Sequence, residues 1–271
     1  MTKVLVTGGT SGLGLAMASA LAGAGAAVAL TGRSGERASS VAAGLPVAAG
    51  LPDAVGIEMD VRDESSVASA VGQAWSRLGG IDMLVNNAGI GMRTVNSRFM
   101  THPQGFWEVP ADGFRAVIDT NLTGYFLVAR EVTPLMLAAG GGRIVNISVS
   151  DSTMRRAGFV PYGPSRAGSE ALSRVMAADL RDTGVTVNLL LPGGATLTGM
   201  VPVDSLPPHS PPPHSPPPDS LPRGQEFLKP EVMGPPIRWL ASDDAAGVHD
   251  QRIVAVEFER WLRDWRARPA S

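Results

Sequence analysis

Val4-Leu5-Val6-Thr7-Gly8-Gly9-Thr10-Ser11-Gly12-Leu13-Gly14 decides the fold. A short apolar run of strand character ends in a glycine string, and an Ala/Leu-rich helical stretch follows. That order has a specific physical use. Glycines permit a sharp turn, let backbone N–H groups approach a pyrophosphate, and let a helix N-terminus face its charge. Glycine strings also collect in ordinary turns, so the position between strand and helix is what favours a nucleotide site. The candidate phosphate-binding residues are Gly8, Thr10, Ser11, Gly12, Leu13 and Gly14. No Lys follows Gly14, which disfavours a phosphate-binding loop of the unrelated lysine-containing kind.

Further strand-like runs follow at Ala27–Leu30, Val55–Met59, Met83–Val85, Arg143–Ser148, Val185–Leu191 and Arg252–Val256. Between them lie segments of helical spacing, including Glu64–Leu78, Ala111–Ala138 and Tyr162–Thr183. Strands alternating with helices imply right-handed crossovers and a parallel sheet covered on both faces. Val185–Leu191 is nearly continuous in apolar character, as a doubly covered strand should be. The expectation is an α/β protein: one doubly wound, Rossmann-type domain over residues 1–271, with a seven-stranded parallel sheet.

The end of the second strand bears on the nucleotide. It runs into Thr31-Gly32-Arg33-Ser34, with no carboxylate before Glu36. A site selecting NAD usually has an acidic side chain here for the ribose 2′-hydroxyl, whereas an arginine can pair with a 2′-phosphate. Arg33 therefore points to NADP in preference to NAD, although a solvated loop arginine would look the same. Asp60 and Val61, after the third strand, are placed to meet the adenine edge.

Composition sets bounds. Twenty-three basic against 25 acidic residues leave a net charge of -2, which gives no electrostatic reason to expect nucleic acid or an anionic membrane as partner. Cysteine is absent, so disulfides, thiolate metal sites and cysteine nucleophiles are excluded together. The strand beginning at Val4 leaves no room for a signal peptide, and the expectation is a soluble, cytoplasmic protein. Ten of the 22 prolines fall between Val201 and Pro222, where Pro207-Pro208-His209-Ser210-Pro211 recurs as Pro212-Pro213-His214-Ser215-Pro216. Such a segment cannot enter a sheet or a helix interior, so it reads as an extended or disordered loop insertion at about 201–222. His209 and His214 read as solvated loop residues, and no metal site is expected.

With these residues in hand, the chain resembles the short-chain dehydrogenase/reductase family, over residues 3 to about 200 and more loosely over 226–257. Gly8, Gly12 and Gly14 match the family's TGxxxGxG, and Asn86-Asn87-Ala88-Gly89 matches its NNAG. Asn121 sits where the family has a catalytic-helix asparagine. Tyr162 opens the YxxxK segment, and Pro192-Gly193 fits the nicotinamide-side turn. The resemblance implies hydride transfer between a nicotinamide and an alcohol or carbonyl carbon. Tyr162 would exchange the proton on oxygen, and Asn87, Ala88, Gly89, Pro192 and Gly193 would join the cofactor site. It also implies a homodimer or homotetramer built on the segments Ala111–Ala138 and Tyr162–Thr183.

Two departures stand out. Arginine occupies the family's lysine position, in Tyr162-Gly163-Pro164-Ser165-Arg166. Arg166 keeps the positive charge that acid–base work by a phenol requires near neutral pH, but it does not readily release a proton. The family's catalytic serine falls on Val149, flanked by Ser148 and Ser150. Either could substitute as donor to the substrate oxygen, Ser150 being the one already off the strand; otherwise both satisfy local backbone groups. These departures leave a rival reading, a catalytically weak NADP-binding sensor or oligomer partner on the same fold. The substrate class remains open among 3-oxoacyl, sugar-acid and similar small molecules. The stretch Gly91–Pro110, with Arg93, Arg98, Phe99, Phe106 and Trp107, could form a rim, and Met200 and Val201 could line the pocket. The tail 257–271 carries Phe258, Trp261, Leu262 and Trp265 at helical spacing, which suits an intramolecular cover or a subunit contact.

Overall fold

Apolar side chains alternate between the two faces of the first strand, and both faces are buried. Val4 and Val6 pack on one side with Met17, Leu21 and Ile237; Leu5 packs on the other with Val71, Leu84 and Val128. A sheet covered on both faces is the consequence. In the computed structural model, which describes residues 1–51, 53–200 and 227–268, seven parallel strands join one sheet in the order β3-β2-β1-β4-β5-β6-β7. They are β1 Lys3–Val6, β2 Ala27–Gly32, β3 Val55–Glu58, β4 Met83–Asn86, β5 Gly142–Ile147, β6 Val185–Leu191 and β7 Arg252–Val254. Every pairing is parallel and in register, for example Leu5 with Leu84 and Val145 with Asn188.

One face is covered by α1 (Gly12–Gly23), α2 (Gly35–Ala43), α8 (Gly234–Leu240) and α9 (Phe258–Arg266). The other is covered by α3 (Glu64–Leu78), α5 (Gly124–Ala138) and α7 (Tyr162–Asp179). Two short helices, α4 (Ala111–Ile118) and α6 (Asp151–Met154), lie before α5 and α7. The strand order reverses between β1 and β4, so loops at their carboxyl ends diverge and leave a crevice there.

Boundaries follow from local chemistry. The Asp63 carboxylate caps α3 by accepting from Ser66 N, and Gly79 ends it in the left-handed region at φ 70°. The helix expected over Tyr162–Thr183 stops at Asp179; the Thr183 hydroxyl then donates to Leu180 O and accepts from Val185 N, turning the chain into β6. The helix expected over Ala111–Ala138 is interrupted by a π-turn, Asp119–Thr123. One extra residue in that turn re-aims Asn121. Strand ends at β3, β5 and β7 fall one or two residues short of expectation, the ordinary fraying of such boundaries.

The aromatic tail forms α9. Phe258 and Trp261 pack around Trp239 of α8, and Trp261 stacks on Trp265 at 5.5 Å. Within the chain, then, the tail acts as a cover. The proline repeat, Val201, and residues 269–271 of the tail lie outside the described residues. Among the described residues no helix is long and apolar enough to cross a membrane, and no cluster of His, Asp and Glu could hold a metal.

Gly79 offers a check on this local reading, because no atom approaches closer than 3.9 Å to where its Cβ would stand. Gly79→Ala therefore faces backbone strain alone. Urea unfolding should show a loss of about 1 kcal/mol; an unchanged midpoint would mean that the left-handed cap is not required.

Candidate active site

A cleft of about 1110 Å³ opens at the carboxyl ends of the central strands. Its phosphate-side wall is the β1–α1 loop, with Gly8, Thr10, Ser11, Gly12 and Leu13 lining it. Gly8 and Gly12 have φ of 63° and 54°, which L side chains rarely adopt. A Cβ on Gly8 would lie 2.8 Å from Ala88 Cα, and one on Gly14 would strike Gly8 O and Asn87 Nδ2. Gly14 does not line the cleft; it lets α1 pack beneath the loop. The loop is stitched to β4: Thr7 Oγ1 accepts from Asn87 N and Ala88 N at 3.0 Å each, and Asn87 Nδ2 donates to Thr7 O and Gly8 O. The first turn of α1 holds no acidic side chain, and Ser11 makes no side-chain cap. Its positive dipole end therefore faces the cleft uncompensated. Pro192, Gly193, Thr196 and Thr198 line the cleft as well, and a Cβ on Gly12 would crowd Thr198 at 3.3 Å. A cradle whose width depends on missing Cβ atoms, set at the N-terminus of α1, fits a dinucleotide.

At the far end lie Arg33, Asp60, Val61 and Arg62. The Asp60 carboxylate accepts from Arg62 Nε at 2.9 Å and from Arg62 N at 3.0 Å. The Arg62 side chain holds Asp60 below the ordinary carboxylate range against the opposing effect of burial, and Arg33 adds a longer-range pull. Two guanidinium groups thus line this end, and its one carboxylate is engaged by the second of them.

The opposite end is built on α7. Tyr162 begins the helix and lines the cleft, its ring packed edge-on to Phe159 at 6.4 Å; Phe159 packs likewise on Phe99. One turn on, Arg166 is 3% exposed and lines the cleft floor. The buried face of α7 then carries Ser165, Ser169 and Ser173 at four-residue spacing. Ser169 and Ser173 donate to the carbonyl four residues back, and Ser165 to Tyr162 O. Their small volume lets α7 approach the sheet, while their oxygens receive Asn amides from outside the helix. Ser173 accepts from Asn146 Nδ2 and Ser165 from Asn121 Nδ2.

Asn121 is fully buried and does not line the cleft. Its Oδ1 accepts from Ile90 N at 2.8 Å, and its Nδ2 donates to Ile90 O at 2.9 Å. The π-turn makes this possible by swinging the side chain toward the loop after β4. Asn121 thereby fixes the Asn87–Ile90 segment from behind.

The serines part company. β5 ends at Ile147, so Ser148 has already left the strand, and its hydroxyl donates to Glu170 Oε1 at 2.6 Å. Arg252 on β7 completes a clamp, donating to Glu170 Oε1 at 3.0 Å and to Val149 O at 2.9 Å. Ser150 caps α6, accepting from Thr153 N, with the hydroxyls of Ser152 and Thr153 each 2.9 Å away. All three of those hydroxyl residues line the cleft. Glu170 and Arg252 were not singled out in the sequence, since no spacing relates them to Ser148. Tyr125 was also missed; its only signal was that the chain has two tyrosines.

A chain with this sheet order, glycine cradle and Tyr–Arg pair one helical turn apart is a nucleotide-binding α/β protein of hydride-transfer type. Comparison with known proteins narrows the class. The family model described as short chain dehydrogenase matches residues 2–205, and the chain belongs to that family. It is 35% identical to 2-dehydro-3-deoxy-L-rhamnonate dehydrogenase (NAD(+)) of Sphingomonas sp. (strain SKA58), over 75% of this chain and 74% of that one. Among solved structures, levodione reductase superposes with a TM-score of 0.78 at 28% identity, covering 94% of this chain and 96% of the other. A short chain dehydrogenase from Burkholderia cenocepacia J2315 in complex with NADP gives 0.73 at 26% identity, covering 93% and 95%. The protein is an NAD(P)-dependent oxidoreductase acting on CH–OH groups or the corresponding carbonyls.

The clamp yields a prediction. Glu170→Ala leaves the half-buried Arg252 with only the exposed Asp151 carboxylate, at 3.3 Å, and should lower stability by about 2 kcal/mol. Ser148→Ala removes one hydrogen bond from a pair that remains, so it should cost less than half as much. Thermal melts of the two variants decide; equal losses would mean that Ser148, not the ion pair, holds the loop.

Proposed function

We propose that the protein prefers NADP(H) and interconverts a secondary alcohol and its carbonyl on a small polar substrate, with Tyr162 exchanging the proton on the substrate oxygen. The observation that carries the reading is the pair at the cleft floor: a half-buried phenol with a buried guanidinium one turn behind it. When bound, the nicotinamide supplies or accepts the hydride. Tyr162 donates its proton to a forming alkoxide in one direction and takes it in the other, and Arg166 keeps permanent positive charge beside that oxygen. Gly8 to Leu13 and Asn87 to Gly89 would hold the dinucleotide, with Pro192 and Gly193 on the nicotinamide side.

Arg33 supports the NADP preference, since it is an exposed guanidinium at the cleft end where no carboxylate precedes Glu36. Ser150 is the better donor to the substrate oxygen, because the Ser148 proton is committed to Glu170. The sugar-acid substrate of the Sphingomonas relative and the 3-oxoacyl class are the first to screen. Homodimer or homotetramer formation through α5 and α7 is consistent with the exposed apolar side chains Phe126 and Val175 on those helices.

Tests follow directly. Arg33→Ala should weaken NADPH binding about tenfold or more, and NADH much less, by nicotinamide fluorescence; equal losses would defeat the 2′-phosphate assignment. Across a panel of ketones, 3-oxoacyl thioesters and sugar acids, Tyr162→Phe should lower kcat roughly 10³-fold with cofactor affinity retained. Ser150→Ala should lower kcat/KM by at least tenfold and Ser148→Ala far less. Turnover that survives Tyr162→Phe would remove the phenol from the mechanism.

A further inference from the structure

Arg166 stands between the chain's two tyrosines. Tyr162 has a role in the reading above; Tyr125, on α5, has none. Tyr125 is 1% exposed, and its hydroxyl accepts from Arg166 Nη1 at 2.7 Å while donating to Ile147 O at 3.1 Å. The same carbonyl accepts from Arg166 Nη1 at 3.2 Å. Phenol, guanidinium and carbonyl therefore close a three-membered hydrogen-bonded ring beneath the cleft. Arg166 Cζ lies 5.4 Å from the Tyr125 ring centroid and 5.4 Å from that of Tyr162.

Apart from a hydrogen bond with the Tyr162 side chain, the rest of the guanidinium is held by space. Nε is buried with no hydrogen-bond partner among the described residues. Gly89 makes room for Nη2, where any Cβ would overlap it. On its buried side the planar head is oriented through Nη1, by Tyr125 and Ile147. Burial works against the charge, yet Tyr125, and after it Tyr162, outweigh that effect and hold Arg166 above the ordinary arginine range. Burial pushes the Tyr125 phenol up, against the pull of Arg166. Tyr125 accordingly stays a neutral hydrogen-bonding group that orients the cation without neutralising it.

We propose that Tyr125 is a positioning residue that braces the Arg166 guanidinium so that its charge is presented to Tyr162. This rests on the assignment of Tyr162 as the proton-exchanging group. A guanidinium is planar and directional, and misplacing it moves the charge; a lysine ammonium is a point charge on a flexible stem and needs no such brace. Dependence on Tyr125 is therefore conditional on arginine at position 166.

The test is a double-mutant cycle on the NADPH-saturated protein: Tyr125→Phe, Arg166→Lys and the two together, with kcat, KM and the pH–kcat profile read for each. In the arginine background, Tyr125→Phe should lower kcat about 10- to 100-fold with a much smaller change in KM, and displace the pH profile by about half a unit or more. In the lysine background the same change should cost less than about threefold. Tyr125→His, which keeps a polar ring atom, is the second variant and should recover part of the loss. Equal losses in both backgrounds, or an unmoved pH profile, would reduce Tyr125 to a packing residue and overturn the proposal. Nitrogen NMR of the arginine side chains supplies a readout free of turnover: slow Nη rotation at Arg166 should be lost in Tyr125→Phe, and its persistence would overturn the brace. Slow rotation lost on mutation, in a protein whose turnover ignores Tyr162, would keep the brace and sink the Tyr162 assignment instead.

Discussion

A positive charge buried at 3% exposure is the constraint around which this site is arranged. Removing a guanidinium from water is costly unless its donors find partners and its charge finds polarisable neighbours. Here Nη1 has a phenol and a carbonyl, and both faces of the problem are met by aromatic rings. Gly89 is part of the same solution, because the head occupies the volume that a side chain there would take. Arginine at position 166 is thus accommodated by a set of contacts rather than by a single partner.

The sheet places that charge. Reversal of strand order between β1 and β4 opens a crevice, and β4, β5 and α7 bring Gly89, Ile147 and Arg166 to its floor. α7 can come close because its inner face is serine at every fourth position, with hydroxyls that serve both the helix and the neighbouring asparagines. The π-turn at Asp119–Thr123 locks the other side, tying α5 to the loop after β4 through Asn121 and Ile90. Tyr125 lies two residues beyond that turn, so the irregularity in the helix also sets where its phenol falls.

The loop after β5 is held by contacts from distant elements. The Val149 carbonyl accepts from Arg252 of the last strand. The Ser148 hydroxyl is drawn away to Glu170 in the same clamp. Ser148, Ser150, Ser152 and Thr153 all line the cleft, but of the four only the Ser148 hydroxyl is spent on a carboxylate.

Much of this was legible in the residues. The strand Val185–Leu191 and the helix Glu64–Leu78 are found with the bounds read from their pattern, because burial on two faces and an Asp cap with a Gly stop are local signals. The glycine spacing likewise announces its own geometry, since only glycine tolerates those φ values and those approaches. The break in Ala111–Ala138 was not legible: a π-turn is stabilised by Asn121 reaching Ile90, 31 residues earlier, and helical spacing carries no trace of it. Nor was the fate of Ser148, whose partner is 22 residues away and is held in turn by Arg252, 82 residues beyond that. Sequence alone determined which chemical groups the chain owns and where short-range pattern turns them into strands, helices and a phosphate cradle. Tertiary structure decided which hydroxyl is free, which is bound, and which tyrosine holds the arginine, because hydrogen bonds between distant segments depend on packing that no local pattern records.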